Sequence, residues 1–474
     1  MKLFRTPLLA LAGLAITFST LHAAAPRKPN FLFVYTDDQR WDAMSVVQRE
    51  QGEKARFPWF ETPNMDRLAR EGLRFRNAFV TLSLCAPSRA VFMTGRYNHL
   101  NGIANNQTPF PENNVTHATT IKAAGYATAY IGKWHMDGQR GKRPGFDYSA
   151  SFVGQGKYFD CPIEIDGQST PTTGWVDDVT TDYAIAFMKK HRDEPFSITL
   201  GFKACHGPFD PPERAKNRFA NVKARPVPNI GTRAIYRVGT GEAGVHDAKS
   251  GENVNLGYFR CISAADDNLG RLLAALDDLD LAADTVVVFS SDNGYYLGEH
   301  GLGDKRSAYD ESLRIPMLVR YPRLIAKGIT RDEMVLNIDL APTIVDLAGV
   351  AVPREMQGRS WQPLFTGQSA NWRQSFLAEY FWEANFPTTP SLVAVRTTTA
   401  KLIKYPGHDE WTELFDLAAD PYETKNLVRD PSRRDLLEKM NAEFDRQAKA
   451  TAYVIPSYAH NPADAPTKKG RKKK

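Results

Sequence analysis

Asn30-Phe31-Leu32-Phe33-Val34-Tyr35-Thr36-Asp37-Asp38 is an almost unbroken apolar run that stops at two adjacent carboxylates. A strand buried on both faces reads this way, whereas a sheet with one wet face alternates polar and apolar residues. Three further runs share the pattern. Ala127 to Gly132 stops at Lys133-Trp134-His135, Phe196 to Cys205 at His206, and Thr285 to Ser291 at Asp292-Asn293-Gly294. Helical patterns intervene at Pro63 to Glu71, Thr119 to Ala124, Val179 to His191 and Gly257 to Leu279. The last repeats apolar residues at Ile262, Leu269, Leu272, Leu273 and Leu276, one face of a helix. The alternation predicts an α/β fold with a large mixed, mostly parallel sheet flanked by helices. The carboxyl ends of parallel strands face one edge, where open α/β sheets bind ligands, so the four polar clusters converge there.

Beyond a boundary between Trp361 and Arg373 the pattern changes. Phe376 to Tyr380, Leu392 to Thr397, Lys401 to Lys404 and Glu413 to Asp416 read as short antiparallel strands, and Pro431 to Ala448 as a helix. We therefore expect a main domain over 26–365 and a smaller C-terminal α+β subdomain over 366–455. Residues 206–252, rich in proline and glycine, read as a long loop at the substrate entrance.

The chain has 474 residues and 42% hydrophobic content, enough for a large core, which excludes collagen-like, coiled-coil and disordered classes. Lys2 and Arg5 precede an apolar stretch from Leu8 to Leu21, and His22-Ala23-Ala24-Ala25 offers small cleavage residues, so residues 1–25 read as a secretory signal and the protein as exported, periplasmic or secreted. That stretch is short for a bilayer span and no other is long enough, so no integral membrane association is expected. Loss of Lys2 and Arg5 takes the net charge from +6 to +4, and six positive residues lie in 468–474, leaving the body near −2. The basic balance thus belongs to a tail, 456–474, expected to be disordered, and nothing suggests a nucleic-acid groove.

Asp37, Asp38, Asp292 and Asn293 make an all-oxygen set without the sulfur or paired histidines of a zinc site, which suits a hard cation, Ca²⁺ or Mg²⁺. Each pair alone is a common turn; the position of both at strand ends favours ligation. In Cys85-Ala86-Pro87-Ser88-Arg89-Ala90-Val91-Phe92-Met93-Thr94-Gly95-Arg96, Ser83 is placed to cap a helix, and Pro87 fits its first turn. Cys85 then sits at a helix N-terminus that favours negative charge, with Arg89 one turn on adding a cation.

This run resembles the sulfatase signature. The segments Glu299 to Lys305 with Tyr309, Asp310, Glu311, Ser312 and Pro316, and Glu413 to Leu427, are also similar to sulfatases, so the resemblance spans Pro29 to Ala448. It implies an alkaline-phosphatase-like fold, hydrolysis of sulfate esters, and one Ca²⁺ held by Asp37, Asp38, Asp292, Asn293 and the modified Cys85. It implies that a maturation enzyme converts Cys85 to formylglycine, whose hydrated aldehyde attacks sulfur. Arg89, Lys133 and Lys305 surround the sulfate with positive charge; His206, with Lys305, protonates the leaving alcohol, and His135 deprotonates the second hydroxyl of the sulfated intermediate. The stretch Pro144 to Tyr148, with Gly154 to Asp160 and Asp166-Gly167, looks similar to N-acetylglucosamine-6-sulfatases, so a sulfated carbohydrate is the expected substrate. Trp134, Tyr158, Trp382 and Phe386 are candidates to stack on its rings.

Two alternatives stand beside this reading. One is a phosphonate or phosphate monoesterase on the same scaffold; the other is a glycan-binding protein with an unmodified Cys85, disfavoured because binding alone needs neither a nucleophile nor two proton carriers. With Cys85 reserved for chemistry, Cys161, Cys205 and Cys261 allow at most one disulfide.

Overall fold

A computed structural model describes residues 28–136, 138–237 and 251–457. The proposed leader and most of the basic tail lie outside the described residues. The main sheet runs, edge to edge, Ile329–Arg331, Leu73–Phe75, Met317–Arg320, Thr285–Ser291, Asn30–Thr36, Phe196–Gly201, Ala127–Lys133, Tyr148–Phe152, Ile163–Ile165 and Gln168–Thr170. The five strands from Thr285–Ser291 to Tyr148–Phe152 are parallel, and the first strand added at each end of them is antiparallel. This is the expected mixed, mostly parallel sheet.

Period-two alternation sends neighbouring side chains into different layers. Phe31, Phe33, Tyr35, Val286 and Val288 join one hydrophobic cluster, with Val91 and Phe92 of the Cys85–Thr94 helix and Ile344 of Leu340–Leu347. Leu32, Val34, Val287 and Phe289 join a second, with Leu68, Met188 and Leu269 of the Pro63–Glu71, Val176–Lys190 and Leu256–Asp278 helices. All five apolar residues expected on the last helix are fully buried. Burial contributes about 1.5–3 kcal/mol for each side chain of that size.

The C-terminal strands Ser375–Tyr380, Leu392–Thr397, Ala400–Lys404 and Glu413–Asp416 form one antiparallel sheet, covered by the Arg434–Thr451 helix. Between sheet and helix it has a small core of its own, Val395, Leu402, Leu414 and Met440, but the other face of the sheet shares the core of the main part. Phe376, Leu377 and Tyr380 share their cluster with Phe79 and Tyr97 of the main part, so the two units bury one continuous surface.

Three element boundaries and one helix cap need correction. The strand read as Phe196 to Cys205 ends at Gly201, because Lys203 N and Ala204 N turn away to the Asp177 carboxylate at 2.8 and 2.9 Å. Asp177 and Asp178 in turn lie in the first turn of the preceding helix, which starts at Val176 rather than Val179, since carboxylates suit a first turn. The helix expected from Pro431 begins as a 3-10 turn, Pro431–Arg433, and the α-helix follows at Arg434. Ser83 caps nothing: the cap position is Leu84, and the Ser83 hydroxyl donates to Ser312 O at 3.0 Å. Cys161, Cys205 and Cys261 are buried free thiols, so no disulfide forms among them. The loop from His206 is irregular, with short 3-10 turns, through Arg237; the rest of it to 250 lies outside the described residues. Among the described residues no helix is long and apolar enough to cross a membrane.

Candidate active site

Residue-for-residue pairing of Asn30–Thr36 with Thr285–Ser291 brings Thr36 opposite Ser291, and the carboxylates that follow both strands meet. Asp292 N donates to Thr36 O at 3.0 Å, and Asp38 N donates to Asp292 Oδ1 at 3.1 Å. Asp37, Asp38 and Asp292 each bring a carboxylate oxygen within 4.8 Å of the other two, and all three residues are buried. Asn293 donates its amide to Asp38 Oδ1 at 2.7 Å, while its own Oδ1 is buried without a partner. Burial, and then the facing charge of Asp37, push the Asp292 carboxyl above its usual range. Burial would raise Asp37 also, but Lys133, His206, Arg89 and Lys305 hold it well below that range. Three crowded carboxylates and an orphaned amide oxygen fit a hard divalent cation, and Cys85 and His206 adjoin them, each bringing a side-chain atom within 4.8 Å of Asp37.

Cys85 opens the Cys85–Thr94 helix, is fully buried, and points its Sγ at Asp37 Oδ1, 3.4 Å away. Burial and Asp37 push its thiol far up, so an unmodified Cys85 stays protonated and is a poor nucleophile. One turn on, the Arg89 guanidinium spans the sheet edge. Its Nε and Nη2 lie 2.8 and 2.7 Å from Asp292 Oδ2, and its Nη1 donates to Lys133 O at 2.7 Å. The Lys133 ammonium bonds Asp37 Oδ2 and donates to Gln155 Oε1 at 2.6 Å. Two glycines permit this approach: a Cβ at Gly132 would meet Gly201 O at 2.0 Å, and one at Gly201 would meet Arg89 Nη1 at 2.9 Å.

Lys305 donates to Asp38 Oδ2 at 2.8 Å, and His206 Nε2 lies 3.9 Å from the same oxygen. The His206 ring is oriented from its other side by Gly207 O, 2.9 Å from Nδ1. Burial, then Lys133 and Lys305, lower its pKa to about 4. His135 is left-handed at φ 53°, its Nδ1 is buried without a partner, and burial and Lys133 hold its pKa well down. Asp38, His135, His206 and Lys305 line one cleft of about 700 Å³, the size of a small-ligand site. The structure thus brings together Asp37, Asp38, Cys85, Arg89, Lys133, His135, His206, Asp292, Asn293 and Lys305, from six separate segments.

The aromatic candidates divide. Trp134 is core, packed edge-on against Tyr130 and Phe110, and Tyr158 is buried with its hydroxyl donating to His206 O at 2.6 Å. Neither can stack on a sugar. Trp382 is half-buried, while Phe386 is exposed, lines the cleft, and covers the Arg306 guanidinium with its ring centroid 3.4 Å from Cζ. Of the stretch that looks like glucosamine sulfatases only Gly154 and Gln155 reach the cleft; Phe146 is core, and a Cβ at Gly145 would meet Thr119 Cγ2 at 2.8 Å. Sequence reasoning missed Arg306, Thr388 and Thr389, which also line the cleft, and gave Gln155 and Asp304 no role beyond their family-like segments. Arg306 is pinned by Glu383 Oε2 at Nε, 2.6 Å, and by Asp304 Oδ2 at Nη1, 2.5 Å. Its place next to Lys305 was the one signal available.

A family model described as Sulfatase matches residues 29–350. The chain belongs to the sulfatase family. A second model, described as N-sulphoglucosamine sulphohydrolase, C-terminal, matches residues 298–450 of this sulfatase. An N-acetylglucosamine-6-O-sulfatase of Bacteroides thetaiotaomicron is 31% identical, with 89% of this chain and 87% of the relative covered. An ulvan-active sulfatase of Formosa agariphila is 28% identical over 89% of this chain and 81% of its own. A solved structure in complex with its substrate, D-glucosamine-2-N,6-O-disulfate, has a TM-score of 0.80 at 28% identity, covering 90% of this chain and 98% of the other. The enzyme hydrolyses sulfate esters, and its fold is that of its solved neighbours.

Proposed function

We propose that this sulfatase removes sulfate from a carbohydrate, with glucosamine 6-sulfate the leading class, using a formylglycine made from Cys85 by a maturation enzyme and one Ca²⁺. The observation that carries the reading is the meeting of a buried cation-fitting oxygen cluster, Cys85 and a cleft with two histidines at one sheet edge. A relative named N-acetylglucosamine-6-O-sulfatase and a solved structure holding a glucosamine disulfate substrate, each similar over nearly the whole chain, support the sugar.

Asp37, Asp38, Asp292 and Asn293 would hold the cation. Together the ion and the formylglycine hydrate supply a Lewis acid for a sulfate oxygen and a nucleophilic hydroxyl at neutral pH. The chain's own groups do the rest. Arg89, Lys133 and Lys305 keep positive charge beside the sulfate, where negative charge shifts in the transition state, and need no reorganisation because Asp292, Asp37 and Asp38 already fix them. His206 Nε2, at the cleft with Lys305, delivers the proton to the leaving oxygen once the negative charge of bound sulfate offsets the burial and the two lysines that otherwise keep the ring neutral. His135 carries an unpartnered Nδ1 and is the neutral base that takes a proton in the second half-reaction. The same reading assigns residues 1–25 to an export signal, 26–365 to the catalytic domain, 366–455 to the C-terminal subdomain and 456–474 to a basic tail.

The test is a panel of defined sulfated mono- and oligosaccharides beside phosphate and phosphonate esters, scored by kcat/KM, with mass spectrometry of the tryptic peptide containing position 85. We expect an aldehyde mass there and preference for a 6-O-sulfated glucosamine. A fully active protein with an intact thiol, or a clear preference for phosphorus esters, overturns the mechanism or the substrate respectively.

A further inference from the structure

A second polar depression lies well away from the cleft, at the seam between the main part and the C-terminal unit. It has a volume of about 420 Å³ and shares no lining residue with the cleft. Its floor is tied to the carboxyl end of the helix that begins at Cys85: Gln357 N donates to Gly95 O at 2.7 Å, and Tyr97 N to Gln357 Oε1 at 2.9 Å. Ten helical residues at 1.5 Å each put it about 15 Å from Cys85.

Four arginines from three segments converge on it, Arg354, Arg359, Arg373 and Arg446. Arg373 is neutralised by both oxygens of buried Asp339, and Arg446 by Glu443. Arg359 has only a carbonyl partner, Asn371 O at 3.1 Å, and exposed Arg354 has none among the described residues. The depression therefore carries two uncompensated guanidinium charges on a polar wall. It continues past Gln374, which both share, into a second depression of about 380 Å³ that holds half-buried Trp372, Arg331, whose Nε is buried without a partner, and two carboxylates, Asp332, paired with Arg76, and Glu333, so the cationic part of the groove is the first depression. A single bound ion needs no such length. Planar guanidinium forks spaced along a groove, with an indole beside them, suit a chain of sugars bearing sulfate or carboxylate groups.

We propose that this groove is a non-catalytic binding site for an anionic glycan chain, holding the polymer whose esters the cleft cleaves. The inference rests on the reading of the substrate as a sulfated carbohydrate. The groove captures the chain electrostatically, so it raises the local concentration of esters near the cleft without touching the reacting atoms.

The test uses the full-length protein carrying Cys85→Ala, so that nothing is hydrolysed, and a heparin-derived octasaccharide titrated in the presence of saturating 6-O-sulfo-N-acetylglucosamine to fill the cleft. Octasaccharide binding should persist, and should weaken about tenfold in the Arg354→Ala/Arg359→Ala double variant and be partly restored by Lys at both positions. In the otherwise wild-type enzyme the double substitution should leave kcat/KM on the monosaccharide within about twofold while lowering it on a long sulfated polymer. Both side chains are exposed, so the thermal midpoint should not move. Unchanged octasaccharide affinity overturns the proposal, as does inorganic sulfate competing as well as the octasaccharide. Groove binding without hydrolysis of any sulfated sugar would reject the proposed substrate and leave the groove standing.

Discussion

Arg89 and Asp292 face each other across the carboxyl edge of the sheet, with two guanidinium nitrogens 2.8 and 2.7 Å from a single carboxylate oxygen. Both side chains are fully buried, so neither charge has water to fall back on. Arg89→Ala should therefore destabilise the protein by about 3–5 kcal/mol, the cost of stranding a buried carboxylate, and abolish turnover. Arg89→Lys should regain part of the stability but little activity, because one ammonium cannot bond Asp292 and Lys133 O together. Urea titrations with kcat/KM on the same samples check both. Wild-type activity in the lysine variant would contradict the geometry.

Asp292→Asn separates cation binding from folding. Neutralising one of three crowded carboxylates relieves repulsion but takes the charge from the buried partner of Arg89, so the chelated variant should melt no higher than the chelated wild type. Added Ca²⁺ should raise the melting temperature of the wild type strongly and of the variant weakly, and the variant's activity should collapse. Calorimetry with and without Ca²⁺ decides; equal increments would remove Asp292 from the ligand set.

His206 delivers a proton, so its loss should be felt in proportion to leaving-group basicity. We expect His206→Ala to lower kcat/KM by about 10³-fold on a sugar sulfate and about tenfold or less on an aryl sulfate, whose phenolate departs unaided. Equal losses on the two substrates would reject the role.

Two histidines outside the site set opposite limbs of the stability curve. Burial pulls His99 down, but Glu379, 2.6 Å from Nδ1, outweighs it and leaves the pKa raised. Its stabilising effect is complete below the unfolded value near 6.5 and is lost as pH climbs through the folded value. His117 is buried without a partner and lowered to about 4, so its folded form resists protonation and stability falls between 6.5 and 4, by about 3 kcal/mol. Denaturant midpoints across pH should show the acid limb flattened by His117→Phe and the alkaline limb by Glu379→Gln. Retention of the acid limb in the first variant would exclude His117.

Much of the site was legible because it hangs on strand ends. Asp37, Lys133 and Asp292 follow apolar runs whose bounds are set by backbone hydrogen bonding, so sequence located them within a residue or so. Phe196–Gly201 ended early for a tertiary reason, the Asp177 carboxylate, which no local pattern encodes. Trp134 and Tyr158 looked like sugar platforms because they fall near the expected cleft, yet their rings are buried behind it. Arg306 was overlooked for the converse reason: its orientation comes from Glu383, 77 residues away, and only folding brings them together.

The glycine seam under Lys133 limits how this enzyme can be re-engineered. A methyl group at position 132 has nowhere to go, since Gly201 O would lie 2.0 Å from it, and backbone cannot step aside as a side chain can. Gly132→Ala should therefore lose activity without altering any group that contacts substrate, by lifting Lys133 and His135 off register together. Libraries seeking new sugar selectivity should hold both glycines and the Lys133 partner Gln155 constant and diversify Phe386 and Thr388, which are exposed on the cleft wall and bond none of the reacting groups.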